Sequence, residues 1–235
     1  MQLEPNPIPP RGAGHFRRLI IMRDETAIWH PSPNFGPRRD GLTPILLVLH
    51  YTAMTSAEKA RDWLCNIDAE VSAHYVISHH GTLWQLVSED QRAWHAGAGT
   101  WSGQDDINSR SIGIEIANTG YEPFPEPQMA VLEALMSRIM ARWAIAPSGV
   151  IGHSDMAPGR KIDPGPHFDW ARLERRGLAA LPASLNGGFR EMAVAAGYDQ
   201  DTSDEALLHA VRLRLRPWAR GPLCDADLQA LSQRA

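Results

Sequence analysis

The chain has 235 residues, 43% of them hydrophobic, and a formal net charge of −4. That length supports one full domain plus a small appendage, and a chain of this size buries roughly 70% or more of the surface its unfolded form exposes, so no disulfide is required. The acidic balance lacks the basic footprint that phosphate neutralisation demands, which argues against a nucleic-acid partner, and no run approaches the roughly eighteen apolar residues of a membrane span.

Residues 1–18 are rich in Pro and Gly and read as a poorly ordered lead-in, because such a segment buries too little apolar surface to offset its ordering entropy. The start Met1-Gln2-Leu3-Glu4-Pro5 has neither a basic stretch leading into an apolar core nor a lipidation cysteine, so a cytoplasmic location is expected. Ile20-Ile21-Met22 has the character of a short edge strand, and Trp29 to Gly36 reads as loop. Cys65 and Cys224 lie far apart and read as two reduced thiols.

Pro44 to Thr52 contains a continuous apolar run that ends at His50, the pattern of a buried strand whose last polar side chain can face a cleft. Thr55-Ser56-Ala57-Glu58 has capping-box spacing, with Thr55 as the expected cap, and Ala57, Ala60, Leu64 and Ile67 fall on one face of the helix that should follow. Ala73–Ser78 and Thr82–Val87 read as strands of a hairpin turned by His79-His80-Gly81. Within it His74 is expected to be structural, and Tyr75 to border the cleft, since adjacent strand residues point to opposite faces. Gln91–Asn108 is long and irregular; Trp94 and His95 there offer stacking faces for a sugar or peptide, so the segment reads as a substrate wall.

In Ser111–Ala117, Ile112, Ile114 and Ile116 alternate with Gly113 and Glu115. A carboxylate on a central strand is costly to bury unless it has a partner or a task, which makes Glu115 the candidate base. Pro125 to about Ala144 is the longest helical pattern, with Met129, Leu132, Leu135, Met136, Ile139, Met140 and Trp143 on a wide apolar stripe. A second apolar run then ends at His153, followed by the Gly- and Pro-punctuated Gly159-Arg160-Lys161-Ile162-Asp163-Pro164-Gly165 and by a helical pattern over Phe168–Arg176. Strand and helix alternate, so the expected fold is α/β, a mixed sheet flanked by helices over residues 19–182. Residues 183–235 read as a small three-helix unit, with helices over 189–196, 204–215 and 226–233, docking on the first domain.

Two histidines and a carboxylate from separate segments can bind zinc through imidazole nitrogen and carboxylate oxygen and leave a fourth position open, so His50, His153 and Asp163 are the candidate ligands. Lys161, two residues before Asp163, is placed to stabilise an oxyanion, and the Arg160 fork suits a substrate carboxylate.

The segments LHYT, SAHY, AWHAG, SIGIE, GHSD and GRKIDPG, in this order, resemble the type 2 zinc N-acetylmuramoyl-L-alanine amidases, the group that includes bacterial muropeptide amidases and animal peptidoglycan recognition proteins. The resemblance spans roughly residues 30–175. It implies an enzyme that hydrolyses the amide between the lactyl group of N-acetylmuramic acid and L-alanine, with zinc on His50, His153 and Asp163, Glu115 as base and Lys161 at the oxyanion; a monomer is expected. The 1,6-anhydro muropeptides are the expected substrate; a non-catalytic muropeptide-binding protein, an amidase of intact wall and a zinc endopeptidase are the rivals. The C-terminal unit is similar to the three-helix peptidoglycan-binding module, but has Val211-Arg212 where that module carries Phe-Gln.

Overall fold

The strands of the computed structural model, which describes residues 22–182 and 185–232, are β1 (Ile28–Trp29), β2 (Phe35–Pro37), β3 (Leu46–Tyr51), β4 (Tyr75–Ile77), β5 (Leu83–Gln85), β6 (Gln91–Ala93), β7 (Ser111–Ile116) and β8 (Val150–Gly152). Six form the main sheet in the order β1-β5-β4-β7-β3-β8, while β2 and β6 pair antiparallel beside it. β4, β7, β3 and β8 run parallel, and the β4–β5 hairpin reverses the direction, so the sheet is mixed as expected.

The helices are α1 (Ala57–Leu64), α2 (Ile107–Arg110), α3 (Glu126–Trp143), α4 (His153–Met156), α5 (Trp170–Arg175), α6 (Phe189–Ala196), α7 (Asp204–Leu215) and α8 (Asp225–Ser232). They cover the sheet according to its alternation. Leu47, Leu49, Ile112, Ile114, Ile116, Tyr75 and Ile77 face α3 and α5 and pack with Met129, Leu132, Leu135, Met136, Ile139 and Leu173. Each such side chain, fully buried, contributes about 1.5–3 kcal/mol before conformational entropy is subtracted. The other side of β3 and β8, Leu46, Val48 and Ile151, packs on Phe189, Met192, Ala193, Leu207, Ala210, Val211 and Leu231 from the C-terminal helices. A third cluster joins α1 to the back of the hairpin through Ala57, Leu64, Val76, Trp84 and Leu86.

The C-terminal helices therefore close one face of the sheet. Arg214 of α7 lies 4% exposed, with Nη1 2.7 Å from Asp155 Oδ2, Nη2 donating to the Val150 carbonyl at 3.2 Å, and its guanidinium stacked 4.2 Å over the Trp170 ring. Tyr198 donates its hydroxyl to Asp155 Oδ1 (2.7 Å), and Asp155 Oδ2 accepts from Gly152 N (2.8 Å). Arg212, in the pair that departs from the peptidoglycan-binding pattern, is buried and locks α7 to α8 through Asp227 at 2.6 Å.

Several expectations change. The α1 cap is Ser56, not Thr55: its Oγ accepts from Lys59 N at 3.3 Å and donates to Glu58 Oε2 at 2.8 Å. Ile67 lies beyond the end of α1, in a 3-10 turn, 62% exposed and outside the apolar stripe. Trp29–Gly36 is not all loop, since Trp29 ends β1 and Phe35 and Gly36 pair with β6. The edge-strand role expected of Ile20-Ile21-Met22 is taken by β1; Ile20 and Ile21, like the lead-in 1–18, lie outside the described residues, and Met22 is irregular with its N–H on Ser88 Oγ at 2.8 Å. Cys65 and Cys224 are free thiols. Among the described residues no helix is long and apolar enough to cross a membrane.

Candidate active site

The site forms at the carboxyl ends of three adjacent parallel strands, where open α/β sheets place their ligands. β3 and β7 pair in a register that sets His50 beside Glu115, and Leu49 pairs with Gly152, which brings His153 next to His50. His50 continues the Leu46/Val48 side of β3, and Glu115 shares that side on β7.

His153 begins the single turn of α4, which is capped by the Asp155 carboxylate on Gly152 N. The loop that follows returns on itself: Ser154 N donates to Asp163 O at 2.9 Å, which sets the Asp163 carboxylate against the histidines. A side chain at Gly152 would put its Cβ 2.8 Å from Pro164 Cδ, so only glycine lets the loop come this close.

His50 Nδ1, His153 Nδ1 and Asp163 Oδ2 converge at 2.9–3.0 Å from one another, all three residues buried. The Ala96 carbonyl, which can only accept, lies 2.9 Å from His153 Nε2, so that nitrogen carries the proton and Nδ1 presents a lone pair. Burial, and then the His153 charge, lower the His50 pKa to about 4, so His50 is neutral near pH 7. Neutral imidazole nitrogens and a carboxylate oxygen gathered in one small gap are a donor set that suits a zinc ion with an open fourth position.

Glu115 leaves Oε2 buried and without a hydrogen-bond partner. Burial raises its pKa well above the ordinary carboxylate value, the Asp163 charge adds to the rise, and the Lys161 charge opposes it. A buried carboxyl with one oxygen free of partners and facing a cleft is suited to take and return a proton.

These groups line a cleft of about 540 Å³ together with Lys161, Trp94, His95 and Arg160. Lys161 is exposed within it. Arg160 is partly engaged: Nη2 donates to the Ala96 carbonyl at 2.9 Å and to that of Ala98. Tyr75 does not reach the cleft. Its register partner is Ile114, on the α3 side of the sheet; it is fully buried there, and its hydroxyl donates to Glu89 Oε1 at 2.5 Å. Its placement as a cleft residue is therefore corrected: alternation gave two faces but could not say which one met the site. His74 is structural as expected, accepting from Gly113 N at Nδ1 (3.0 Å) and placing Nε2 3.1 Å from the Gln91 carbonyl.

Sequence reasoning missed the apolar rim of the cleft, Trp63, Val71 and Ile162, which are 50%, 37% and 47% exposed. A signal was available for Trp63, since it falls outside the Ala57/Ala60/Leu64 stripe and a large apolar side chain on the water face of a helix calls for a reason.

A family model described as N-acetylmuramoyl-L-alanine amidase matches residues 40–166. The N-acetylmuramoyl-L-alanine amidase AmiD of Escherichia coli (strain K12) is 32% identical over 226 residues, covering 80% of this chain and 80% of that protein. The 1,6-anhydro-N-acetylmuramyl-L-alanine amidase AmpD of Citrobacter freundii is 35% identical over 160 residues, 61% of this chain and 86% of that one. The solved complex of E. coli AmiD with anhydro-N-acetylmuramic acid-L-Ala-D-gamma-Glu-L-Lys is similar with a TM-score of 0.71 at 30% identity, covering 86% of this chain and 90% of its own.

Proposed function

Since the chain belongs to the N-acetylmuramoyl-L-alanine amidase family, we propose that it hydrolyses the amide between anhydro-N-acetylmuramic acid and L-alanine, with His50, His153 and Asp163 holding zinc. The observation that carries this reading is the convergence of three ligand atoms beside an unpartnered Glu115 oxygen in a cleft of about 540 Å³. The likeness to enzymes named for, or solved with, anhydro-muramyl compounds supports the anhydro form.

Zinc, when bound, supplies a Lewis acid that polarises the amide carbonyl and makes water a better nucleophile at neutral pH. Glu115 Oε2 accepts the proton of the attacking water and returns one to the leaving nitrogen of L-alanine. Lys161 places a positive charge where the carbonyl oxygen becomes negative. Trp94 and Trp63 offer flat apolar faces to the sugar and the lactyl group, and Trp63, Val71 and Ile162 keep water from that rim of the cleft. Arg160 retains donors beyond the two carbonyls it holds and can meet a stem-peptide carboxylate at the cleft edge.

A soluble substrate class fits work in the cytoplasm by a monomer; fractionation with parallel assays on anhydro-muropeptides and insoluble wall tests that placement. Glu115→Gln tests the chemistry. It should retain stoichiometric zinc by elemental analysis yet lose about 10²–10⁴ in turnover, because the amide cannot accept the proton. A variant within a few-fold of wild type moves the base elsewhere.

A further inference from the structure

We infer that one loop, residues 95–98, fixes the ring tautomers of both metal-facing histidines, with His95 as the positioning residue for His50 and the Ala96 carbonyl for His153. The inference rests on the zinc site proposed above and follows from accounting for each proton.

The Ile107 carbonyl can only accept, and Ser111 Oγ lies 2.6 Å from it, so the hydroxyl proton points there. Ser111 Oγ then has only lone pairs for His95 Nε2, 3.2 Å away, which makes Nε2 the protonated nitrogen of His95. His95 Nδ1 is left as an acceptor, and it stands 3.0 Å from His50 Nε2. His50 must donate from Nε2, so its Nδ1 faces His153 and Asp163 as a bare lone pair. The next residue performs the same service for His153, whose Nε2 donates to the Ala96 carbonyl. Three acceptors thus meet with no proton among them, an arrangement that repels unless a cation occupies it.

The place of His95 is built, not incidental. Its backbone N–H and that of Ala96 both donate to Asn108 Oδ1, at 3.0 and 2.8 Å. The ring lies so close to β7 that a Cβ on Gly113 would fall 2.5 Å from His95 Cγ, which gives this strand glycine its reason. Arg160 Nη2 ties the loop down from the other side through the Ala96 and Ala98 carbonyls. His95 thus lines the cleft and also holds His50 from behind, and partners of this kind typically hold ligand orientation and affinity together.

Chelator competition measures zinc affinity in wild type, His95→Leu, His95→Asn and Ser111→Ala, and long-range ¹H–¹⁵N spectra of the metal-free proteins report the His50 tautomer independently of turnover. His95→Leu should bind zinc about 10–100-fold more weakly and lose the fixed Nε2–H form of His50, whereas His95→Asn, which keeps an acceptor oxygen near the Nδ1 position, should recover most of the affinity. If His95→Leu does not melt cooperatively, Ser111→Ala carries the test, since it leaves the ring in place and frees its tautomer. Wild-type affinity in His95→Leu or Ser111→Ala, or a proton on Nδ1 of His50 in metal-free wild type, overturns the inference. Wild type that takes up no zinc overturns the metal site itself, a different failure.

Discussion

Replacing Arg214 with Met removes a guanidinium that no solvent can substitute, while keeping most of the aliphatic bulk. Asp155 is fully buried, and without Arg214 its side-chain partners among the described residues are the Tyr198 hydroxyl and the Gly152 N–H. Stranding one member of a buried ion pair typically costs about 3–5 kcal/mol, because a desolvated charge is left uncompensated. For a chain of this size each kcal/mol lowers Tm by roughly 2–4 °C, so the expected drop is roughly 6–20 °C. Thermal and urea unfolding of wild type, Arg214→Met, Asp155→Asn and the double variant complete the cycle, and the double variant should regain part of the loss because its carboxamide carries no charge. The loss should extend to the metal site, since the Asp155 carboxylate caps the turn that begins with His153. A cost below about 1 kcal/mol, the range of an exposed pair, would refute the reasoning and leave the C-terminal helices a loosely attached unit.

Lys161→Ala should lower kcat by about 10²–10³ while KM changes little, since its charge is needed chiefly in the transition state; a pure KM effect makes Lys161 a substrate anchor. The Asp227 carboxyl is held well below the ordinary range, first by its hydrogen bond from Arg212 and despite burial, with Arg216 and Cys224 adding to the effect. A carboxyl depressed on folding contributes stability that is present above its unfolded value near 3.9 and lost as pH falls toward its folded value. Asp227→Asn should therefore cost about 1–3 kcal/mol at pH 7 and make the decline in stability below pH 4 shallower; an unchanged acid limb in urea titrations removes Asp227 from that account.

What was legible in the sequence follows from which signals are local. His50 and His153 each close an apolar run, and Glu115 takes its place in a strict alternation with isoleucines, so their strands and their place near strand ends could be read from neighbours in the chain. The extents of α3, α6 and α7 were equally local, set by helical periodicity. Tyr75 was misplaced because its orientation depends on register with Ile114, a partner 39 positions away that alternation within one strand does not phase. His95 does line the cleft, but its hold on His50 could not be read locally, because its surroundings are assembled from Ser111, Gly113 and Asn108. Nor could the pairing of Arg214 with Asp155, 59 residues earlier, be seen before the helices were laid on the sheet.

Which bond the zinc-loaded protein breaks decides what it does. Mass spectrometry of the products from anhydro-N-acetylmuramyl-L-Ala-D-γ-Glu-L-Lys measures this directly. Two products are expected, anhydro-N-acetylmuramic acid and an intact tripeptide with a free L-alanine amine, formed by wild type and nearly absent with Glu115→Gln. Cleavage inside the stem peptide, or no cleavage by protein that carries stoichiometric zinc, contradicts the proposed function.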